Sequence, residues 1–176
     1  MKRLSSRLAA AGVSVLAGAA VALALGSPAT AAGTSYVALG DSYSSGTGTR
    51  TYISDGTSCQ RSVYAYPSLD AASLGLSLTF RACSGATVAD VTNTQLSALT
   101  STTAYVTISV GGNDAGFASV LTTCAQPSWL SNCYGAIDKA NTFINGTLPG
   151  RLTTLYSSVG ENHVRALQSS PLKMRG

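Results

Sequence analysis

Three short runs of apolar and β-prone residues lie along the chain, and each ends in a turn rich in Gly, Ser, Asn or Asp. The runs cover residues 35–39, 77–82 and 104–110. The segments between them, residues 64–76 and 88–99, carry apolar residues at spacings near three and four, which is the period of an α-helix. Strand, helix, strand, helix, strand is the order typical of a parallel α/β sheet, and the pattern predicts that fold class.

Helical spacing returns after the third predicted strand. The pattern predicts a helix over residues 117–129 and another over residues 134–156, with a break near residues 146–150 where Pro149 lies. Beyond these helices the apolar spacing fades and no fourth strand follows, so residues 159–176 are expected to form an unpatterned tail.

The turns that follow the three predicted strands are where we expect the chemistry. They read Gly40-Asp41-Ser42, Cys83-Ser84-Gly85 and Gly111-Gly112-Asn113-Asp114. In an open parallel sheet, ligand sites gather at the carboxyl ends of the strands. The pattern therefore predicts that the three turns surround a single site.

Ser42 directly follows an apolar strand, at a strand-to-helix turn that can expose its hydroxyl and aim its own N–H into the same cleft. A serine in that place suits a nucleophile, which also needs a base and an oxyanion hole. The alternative is that Gly-Asp-Ser forms an ordinary turn, since all three residues favour turns. The motif alone favours the ordinary turn, and the other two turns change that balance.

Gly85 and Asn113 supply the kinds of donor that an oxyanion hole uses. Gly85 has no side chain, so its backbone N–H can come close to a ligand. Asn113 carries a neutral NH₂ donor, and the two glycines before it give the backbone freedom to aim that donor. Gly-Gly-Asn-Asp is also a common turn sequence, and we interpret Asp114 as a helix N-cap.

The N-terminus has the three parts of a secretory signal peptide. Three basic residues stand within the first seven positions, an uncharged stretch follows over residues 8–25, and the small-residue pattern Ala29-Thr30-Ala31 comes next. The alternative is a membrane anchor, since this stretch is nearly long enough to span a bilayer. We predict cleavage after Ala31 or Ala32, export of the protein, and no membrane anchor in its mature form.

The net charge of +4 belongs mostly to this leader, because the remainder of the chain carries a net charge of +1. No basic stripe is left to follow a phosphate backbone, which argues against a nucleic-acid partner. High hydrophobicity with only 10% charged residues also argues against intrinsic disorder.

Four cysteines in an exported protein predict two disulfides. Three pairings are possible. The short gap between Cys124 and Cys133 suits a local loop, which leaves Cys59 to pair with Cys83. A metal site is disfavoured because no C-x-x-C spacing occurs and His163 is the single histidine.

The three turns, with Tyr43 after the first and Ala82 to Ala86 as the second, resemble the first three blocks of the SGNH (GDSL) hydrolases, in the secreted actinobacterial lipase and esterase branch. The resemblance covers roughly residues 36–156. It implies a three-layer α/β/α sandwich around a parallel sheet, of flavodoxin-like type, and hydrolysis of carboxylic esters without a metal or other cofactor. It also implies that Ser42 is the nucleophile, and that Gly85, Asn113 and the Ser42 N–H are the oxyanion donors. The branch carries disulfides similar to Cys59–Cys83 and Cys124–Cys133.

The family's catalytic histidine block, Asp-x-x-His after a further strand, has no counterpart in the pattern. Gly160 stands three residues before His163, where the family has Asp. We therefore identify no general base and expect His163 to be an exposed tail residue. The chain is interpreted as a truncated or frame-shifted member, with residues 1–31 as signal peptide, 32–158 as the front part of the hydrolase domain, and the C-terminal strands missing.

Three functional hypotheses remain open. The first is a secreted serine esterase or lipase, with impaired activity, acting on a small-molecule or lipid ester through an acyl-enzyme. The second is a non-catalytic secreted fragment that binds esters, and the third is a carbohydrate acetylesterase. An exposed apolar face and an unpaired edge on the third strand are expected to lower solubility, and the oligomeric state is left open.

Overall fold

The computed structural model describes residues 33–163, so the predicted signal peptide and the end of the predicted tail lie outside the described residues. Within this range three strands form one sheet: β1 (Ser35–Gly40), β2 (Ser77–Phe80) and β3 (Tyr105–Ser109). All the pairings are parallel and the strand order is β2-β1-β3. The predicted parallel α/β fold is confirmed.

Helices connect and follow the strands. They are α1 (Ser42–Ser45), α2 (Tyr66–Leu74), α3 (Val88–Asp90), α4 (Phe117–Cys124), α5 (Cys133–Gly146) and α6 (Leu148–His163). After α3 the chain continues through a π-helical turn, Val91–Gln95, and a 3₁₀ turn, Leu96–Ala98. The predicted helix over residues 88–99 is therefore three consecutive helical pieces of different pitch.

The helices after β3 follow the prediction except at the ends of α4 and α6. The helix expected to reach Trp129 stops at Cys124, three residues before Pro127, which lacks the N–H that a helix interior needs. The predicted break at Pro149 is present between α5 and α6. Pro149 lies in the first turn of α6, where its missing N–H has no intrahelical partner to lose.

The last helix runs further than the sequence pattern predicts. His163, expected in an unpatterned tail, is the last residue of α6. Ser157, Ser158 and Gly160 are modest or weak helix formers, so the sequence pattern did not predict that the helix continues through them. Val159 packs against the core, and such tertiary packing outweighs local preference.

Strand β1 lies at the centre of the sheet and sends alternate side chains to opposite faces. On one face Tyr36 and Ala38 pack against Ala71 of α2. On the other face lies the main core cluster, whose buried members are Val37, Leu39, Val88, Val91, Leu96, Leu99 and Leu155. Helices therefore cover both faces of the sheet, which gives the three layers α/β/α.

Strand β3 forms one edge of the described sheet, and its flank is less well covered than β1. Val106 and Ile108 are only partly buried. Past the end of β3, α4 and α5 leave an open apolar groove of about 380 Å³. Its apolar side chains belong to Val110, Ala115, Phe117, Val120, Ile137, Ala140, Ile144 and Leu148.

Both disulfides join the expected partners. Cys59 is bonded to Cys83, just past the end of β2, and Cys124 is bonded to Cys133, between α4 and α5. Across residues 33–163, the helices fall short of the length and apolar character that a bilayer crossing requires.

Candidate active site

The first and third turns are held together by Asp41. In the parallel register Gly40 lies opposite Ser109, and the Asp41 N–H donates to the Ser109 carbonyl at 2.8 Å. One carboxylate oxygen of Asp41 accepts from the Ser109 hydroxyl and from the Tyr43 N–H, both at 3.0 Å. Asp41 therefore caps α1 and fixes the turn that presents Ser42.

Ser42 is the first residue of α1 and is half-buried. Within the described residues its hydroxyl makes no hydrogen bond. Its N–H is the first of α1, and the first N–H groups of a helix have no acceptor within that helix. Ser42 lines a cavity of about 330 Å³, together with Asp41, Tyr43, Thr47, Gly112, Asn113 and Phe117. The cavity brings together the first and third of the three turns expected to surround one site, and the second turn contributes no lining residue.

The second turn is fastened to the first through the main chain. The Cys83 N–H donates to the Gly40 carbonyl at 2.9 Å, and the Ser84 N–H donates to the Cys59 carbonyl at 3.0 Å. Gly85 itself is exposed, with φ of +84°, a conformation that favours glycine. It is not among the residues that line the cavity, so the structure does not bring this predicted oxyanion donor into the cavity wall.

Asn113 connects the third turn to the second. Its side-chain Nδ2 donates to the Ala86 carbonyl at 2.9 Å, one residue after Gly85. An amide NH₂ has two hydrogens, so one remains for a second acceptor. The bond to Ala86 fixes the plane of the amide of a residue that, like Ser42, lines the cavity.

Asp114 does not cap the helix that follows it, contrary to the prediction from the sequence. Gly116 is the residue before α4, and the Asp114 carboxylate instead accepts from the Val88 N–H at 2.8 Å, at the start of α3. Its other oxygen meets the Arg151 guanidinium at 3.2 Å, and its side chain is 1% exposed. The reason is tertiary: the turn folds toward α3 before α4 begins, so the nearest free helix N–H belongs to another element.

The described residues hold no group of three or more His, Cys, Asp or Glu side chains that suits a metal ion. His163, the single histidine of the sequence, is the last residue of α6. Among residues 33–160, no side chain accepts a hydrogen bond from the Ser42 hydroxyl, so no general base is identified there. Three contributors to the site were missed from the sequence: Ser109, Arg151 and Gln95. Of these, Gln95 left a signal, since it is a polar residue at an apolar position of the helical spacing.

Comparison with known proteins shows which family the chain matches. Residues 38–172 match the model of the GDSL-like lipase/acylhydrolase family.

The chain belongs to that family.

Its curated relatives are lipases of Streptomyces. The chain is 50% identical to Lipase 1 of Streptomyces coelicolor over 159 residues, which is 90% of this chain and 58% of that protein. It is 46% identical to a lipase of Streptomyces rimosus over 162 residues, 89% of this chain and 60% of the relative. The chain thus spans somewhat more than half the length of these two lipases.

Solved structures of the family share the fold described above. The phospholipase A1 of Streptomyces albidoflavus NA297 superposes with a TM-score of 0.71 at 48% identity, covering 75% of this chain and 56% of the other. An extracellular lipase from Streptomyces rimosus gives a TM-score of 0.69 at 47% identity, with 74% and 56% covered. At this level of identity, the family's fold over the matched region is shared.

Proposed function

We propose that this chain is a secreted serine ester hydrolase that acts through an acyl-enzyme on Ser42. The observation that carries the proposal is the cavity at the ends of β1 and β3. There two residues line the same cavity: Ser42, whose hydroxyl makes no hydrogen bond within the described residues, and Asn113, whose amide is held by the Ala86 carbonyl. Membership of a lipase and acylhydrolase family supports ester bonds as the target.

The reaction begins when Ser42 Oγ attacks the ester carbonyl and loses its proton. The proposed donors to the negative charge that develops on the carbonyl oxygen are Asn113 Nδ2 and the Ser42 N–H. The Gly85 N–H is a donor by the family resemblance alone, since Gly85 does not line the cavity. Collapse of the tetrahedral intermediate breaks the bond to the leaving alcohol, which takes up a proton, and leaves an acyl ester on Ser42. Water then hydrolyses that ester and releases the carboxylic acid.

Among residues 33–160, no side chain accepts a hydrogen bond from the Ser42 hydroxyl. In the proposed reaction solvent takes the proton, and a serine without a hydrogen-bonded base is a weak nucleophile. Oxyanion stabilisation still accelerates acyl transfer when the remaining groups of a triad are missing. We propose that this chain turns esters over slowly, with an accumulated acyl-enzyme rather than fast release.

The surroundings of the cavity favour an ester with an apolar acyl group over a carbohydrate acetate. Gly112 and Phe117 line both the cavity and the neighbouring apolar groove, so the two spaces adjoin. An alkyl chain gains free energy by leaving water for such a surface, whereas a sugar does not. Small aliphatic and lipid esters are therefore the proposed substrates.

Secretion is supported by the leader-like N-terminus and by two disulfides, which persist in oxidising compartments. A relative described as an extracellular lipase agrees with this. Expression in an actinobacterial host with a C-terminal epitope tag would test it. Tagged protein in the medium, beginning at Ala32 or Gly33, is expected, and a membrane-bound full-length chain would contradict secretion.

The activity is tested with p-nitrophenyl butyrate and the folded chain. Slow release of p-nitrophenol that disappears in Ser42→Ala is expected, with Ser73→Ala, an exposed position of α2, as a matched control that leaves turnover unchanged. Release that persists in Ser42→Ala would refute Ser42 as the nucleophile. No release from folded wild-type protein would favour the non-catalytic ester-binding alternative.

A further inference from the structure

Gln95 is a buried polar side chain that the mechanism above does not use. It is 3% exposed and lies beside Leu96, within the layer that forms the main core cluster. Its Oε1 accepts from the Gly40 N–H at 2.7 Å, and its Nε2 donates to the Gly40 carbonyl at 2.9 Å. Both hydrogen bonds of the amide therefore go to one main-chain residue, 55 positions earlier in the chain.

Gly40 is the residue whose conformation sets where Ser42 lies. It ends β1 with φ of +122°, and the Asp41-Ser42 turn follows directly. A Cβ at this position would lie 2.7 Å from the backbone nitrogen of Ser109, so only glycine fits. Glycine has access to more backbone conformations than any other residue, and a glycine here needs outside contacts to hold one of them.

Gln95 supplies those contacts in the way that a neighbouring strand would. A primary amide offers one acceptor and one donor side by side, which matches the N–H and the carbonyl of a single residue. The Gly40 carbonyl also accepts from the Cys83 N–H. The two hydrogen bonds of Gln95 therefore hold the main chain at the residue where the first turn and the second turn are joined.

Packing alone does not explain a glutamine at this position. Burying an amide next to apolar side chains costs free energy unless it is fully hydrogen-bonded, and leucine or methionine would fill the space without that cost. The helical layer also departs from α-geometry here, because Gln95 ends a π-helical turn that begins at Val91. Single π-helical turns inside helices occur frequently at functional sites.

We propose that Gln95 is a positioning residue for the nucleophile: its side-chain amide holds the Gly40 main chain and thereby fixes the turn that presents Ser42 to the cavity. This inference rests on the proposed function for its catalytic consequence. Its structural part, the hold on Gly40, is tested separately.

The wild-type chain tests the hold on Gly40 without any substrate. In an isotope-labelled sample, the Gly40 amide is expected to be protected from hydrogen exchange. It should also show scalar coupling through the hydrogen bond to the side-chain carbonyl carbon of Gln95. The exposed Gly56 amide is the matched reference for fast exchange. A Gly40 amide that exchanges as fast as that of Gly56 would overturn the proposal.

Two variants separate positioning from stability. Gln95→Met removes both hydrogen bonds and keeps most of the volume, whereas Leu99→Ala weakens the same core cluster and leaves Gly40 untouched. At a temperature where both are folded, Gln95→Met is expected to lower kcat about 100-fold, because small misplacements of reacting groups have effects of that size. KM should change by less than about twofold, since substrate contacts remain. Leu99→Ala should keep the kcat of the folded wild-type chain.

A folded Gln95→Met chain with wild-type kcat would overturn the positioning role. If the wild-type chain shows no turnover at all, the proposed function fails, and the amide resonances decide about Gln95. In that case, displaced Asp41 and Ser42 resonances in Gln95→Met, but not in Leu99→Ala, support the hold on the turn. Unmoved resonances contradict it. If Gln95→Met does not fold, the exchange and coupling of the Gly40 amide in the wild-type chain decide whether Gln95 holds Gly40.

Discussion

The side-chain amide of Asn113 donates to the main-chain carbonyl of Ala86 at 2.9 Å. This single bond spans 27 positions of the chain and joins the turn after β3 to the turn after β2. The bond fixes the plane of the Asn113 amide and therefore the direction of its second hydrogen. Asn113 is thus oriented before any substrate arrives. Preorganised donors of this kind need no rearrangement as charge develops in the transition state.

Replacing Asn113 by alanine is therefore expected to slow acylation of Ser42 about 10²- to 10³-fold, the usual cost of losing one oxyanion donor. Single-turnover release of p-nitrophenol measures this rate. Asn145→Ala is the matched control, because Asn145 makes the same kind of bond, to the Asn141 carbonyl, on the exposed side of α5. Equal acylation rates in both variants would exclude Asn113 from the oxyanion hole.

Gly40 and Gly85 both have positive φ but differ in the space around them. An added Cβ at Gly40 would meet the Ser109 backbone, whereas one at Gly85 would have no heavy atom within 4 Å. Gly85→Ala should therefore lower the free energy of unfolding by about 1–2 kcal/mol, the cost of a positive φ for a residue with a side chain. Gly40→Ala should lower it by clearly more, because backbone atoms of β3 have to move. Urea unfolding compares the two, and a Gly40→Ala chain no less stable than Gly85→Ala would contradict the described turn.

The turns and strands could be predicted from the sequence because they have local signatures. Alternating apolar runs followed by glycine and small polar residues mark strand ends, and parallel strands bring those ends to one edge. The hold of Gln95 on Gly40 and the bond from Asp114 to Val88 could not be predicted. Both join residues far apart in the chain, and no periodicity records which main-chain group a buried amide or carboxylate will meet.

The end of α6 shows a second kind of failure. Its last turns contain Ser157, Ser158 and Gly160, so local preference argues against a helix there. In this segment Val159 packs against the main core cluster, which contains Val37 and Leu39 of β1, and this contact supports the helix. Tertiary contacts decided the structure, and one sequence alone does not display them.

The two disulfides should contribute unequally to stability. The cysteines of Cys59–Cys83 are 24 positions apart in the sequence, and those of Cys124–Cys133 are 9 positions apart. In the chain-entropy model the longer loop contributes about 3.5 kcal/mol and the shorter about 2.7 kcal/mol. The double variants Cys59→Ser/Cys83→Ser and Cys124→Ser/Cys133→Ser, compared by urea unfolding, measure the two contributions. A larger loss from the shorter loop would show that the entropic account fails here.

Asp90 makes the stability depend on pH in the acid range. The Thr87 hydroxyl and the Thr87 N–H donate to its carboxylate at 2.7 and 2.9 Å, and they lower the pKa of Asp90 below its ordinary value of 3.8. A lowered folded-state pKa means that this stabilisation is present above pH 3.8 and is lost as the pH falls through the folded-state value. Asp90→Asn should therefore flatten the decline in unfolding free energy below about pH 4.

Asp55 titrates in the same range, since the Thr57 hydroxyl and, further, Arg61 lower the pKa of Asp55. The double variant Asp55→Asn/Asp90→Asn should therefore show a still flatter profile than Asp90→Asn. Unfolding by urea at a series of pH values between about 2 and 5 checks both statements. A profile in Asp90→Asn as steep as that of the wild-type chain would refute the role of the Thr87 hydrogen bonds.

In the proposed reaction, Ser42 takes up the acyl group of an ester. The most direct measurement is the intact mass of the folded protein after incubation with p-nitrophenyl butyrate, followed by peptide mapping. One butyryl group per chain is expected, located on Ser42 and absent from Ser42→Ala. A folded chain that gains no butyryl group, or gains it on another residue, would refute an acyl-enzyme on Ser42.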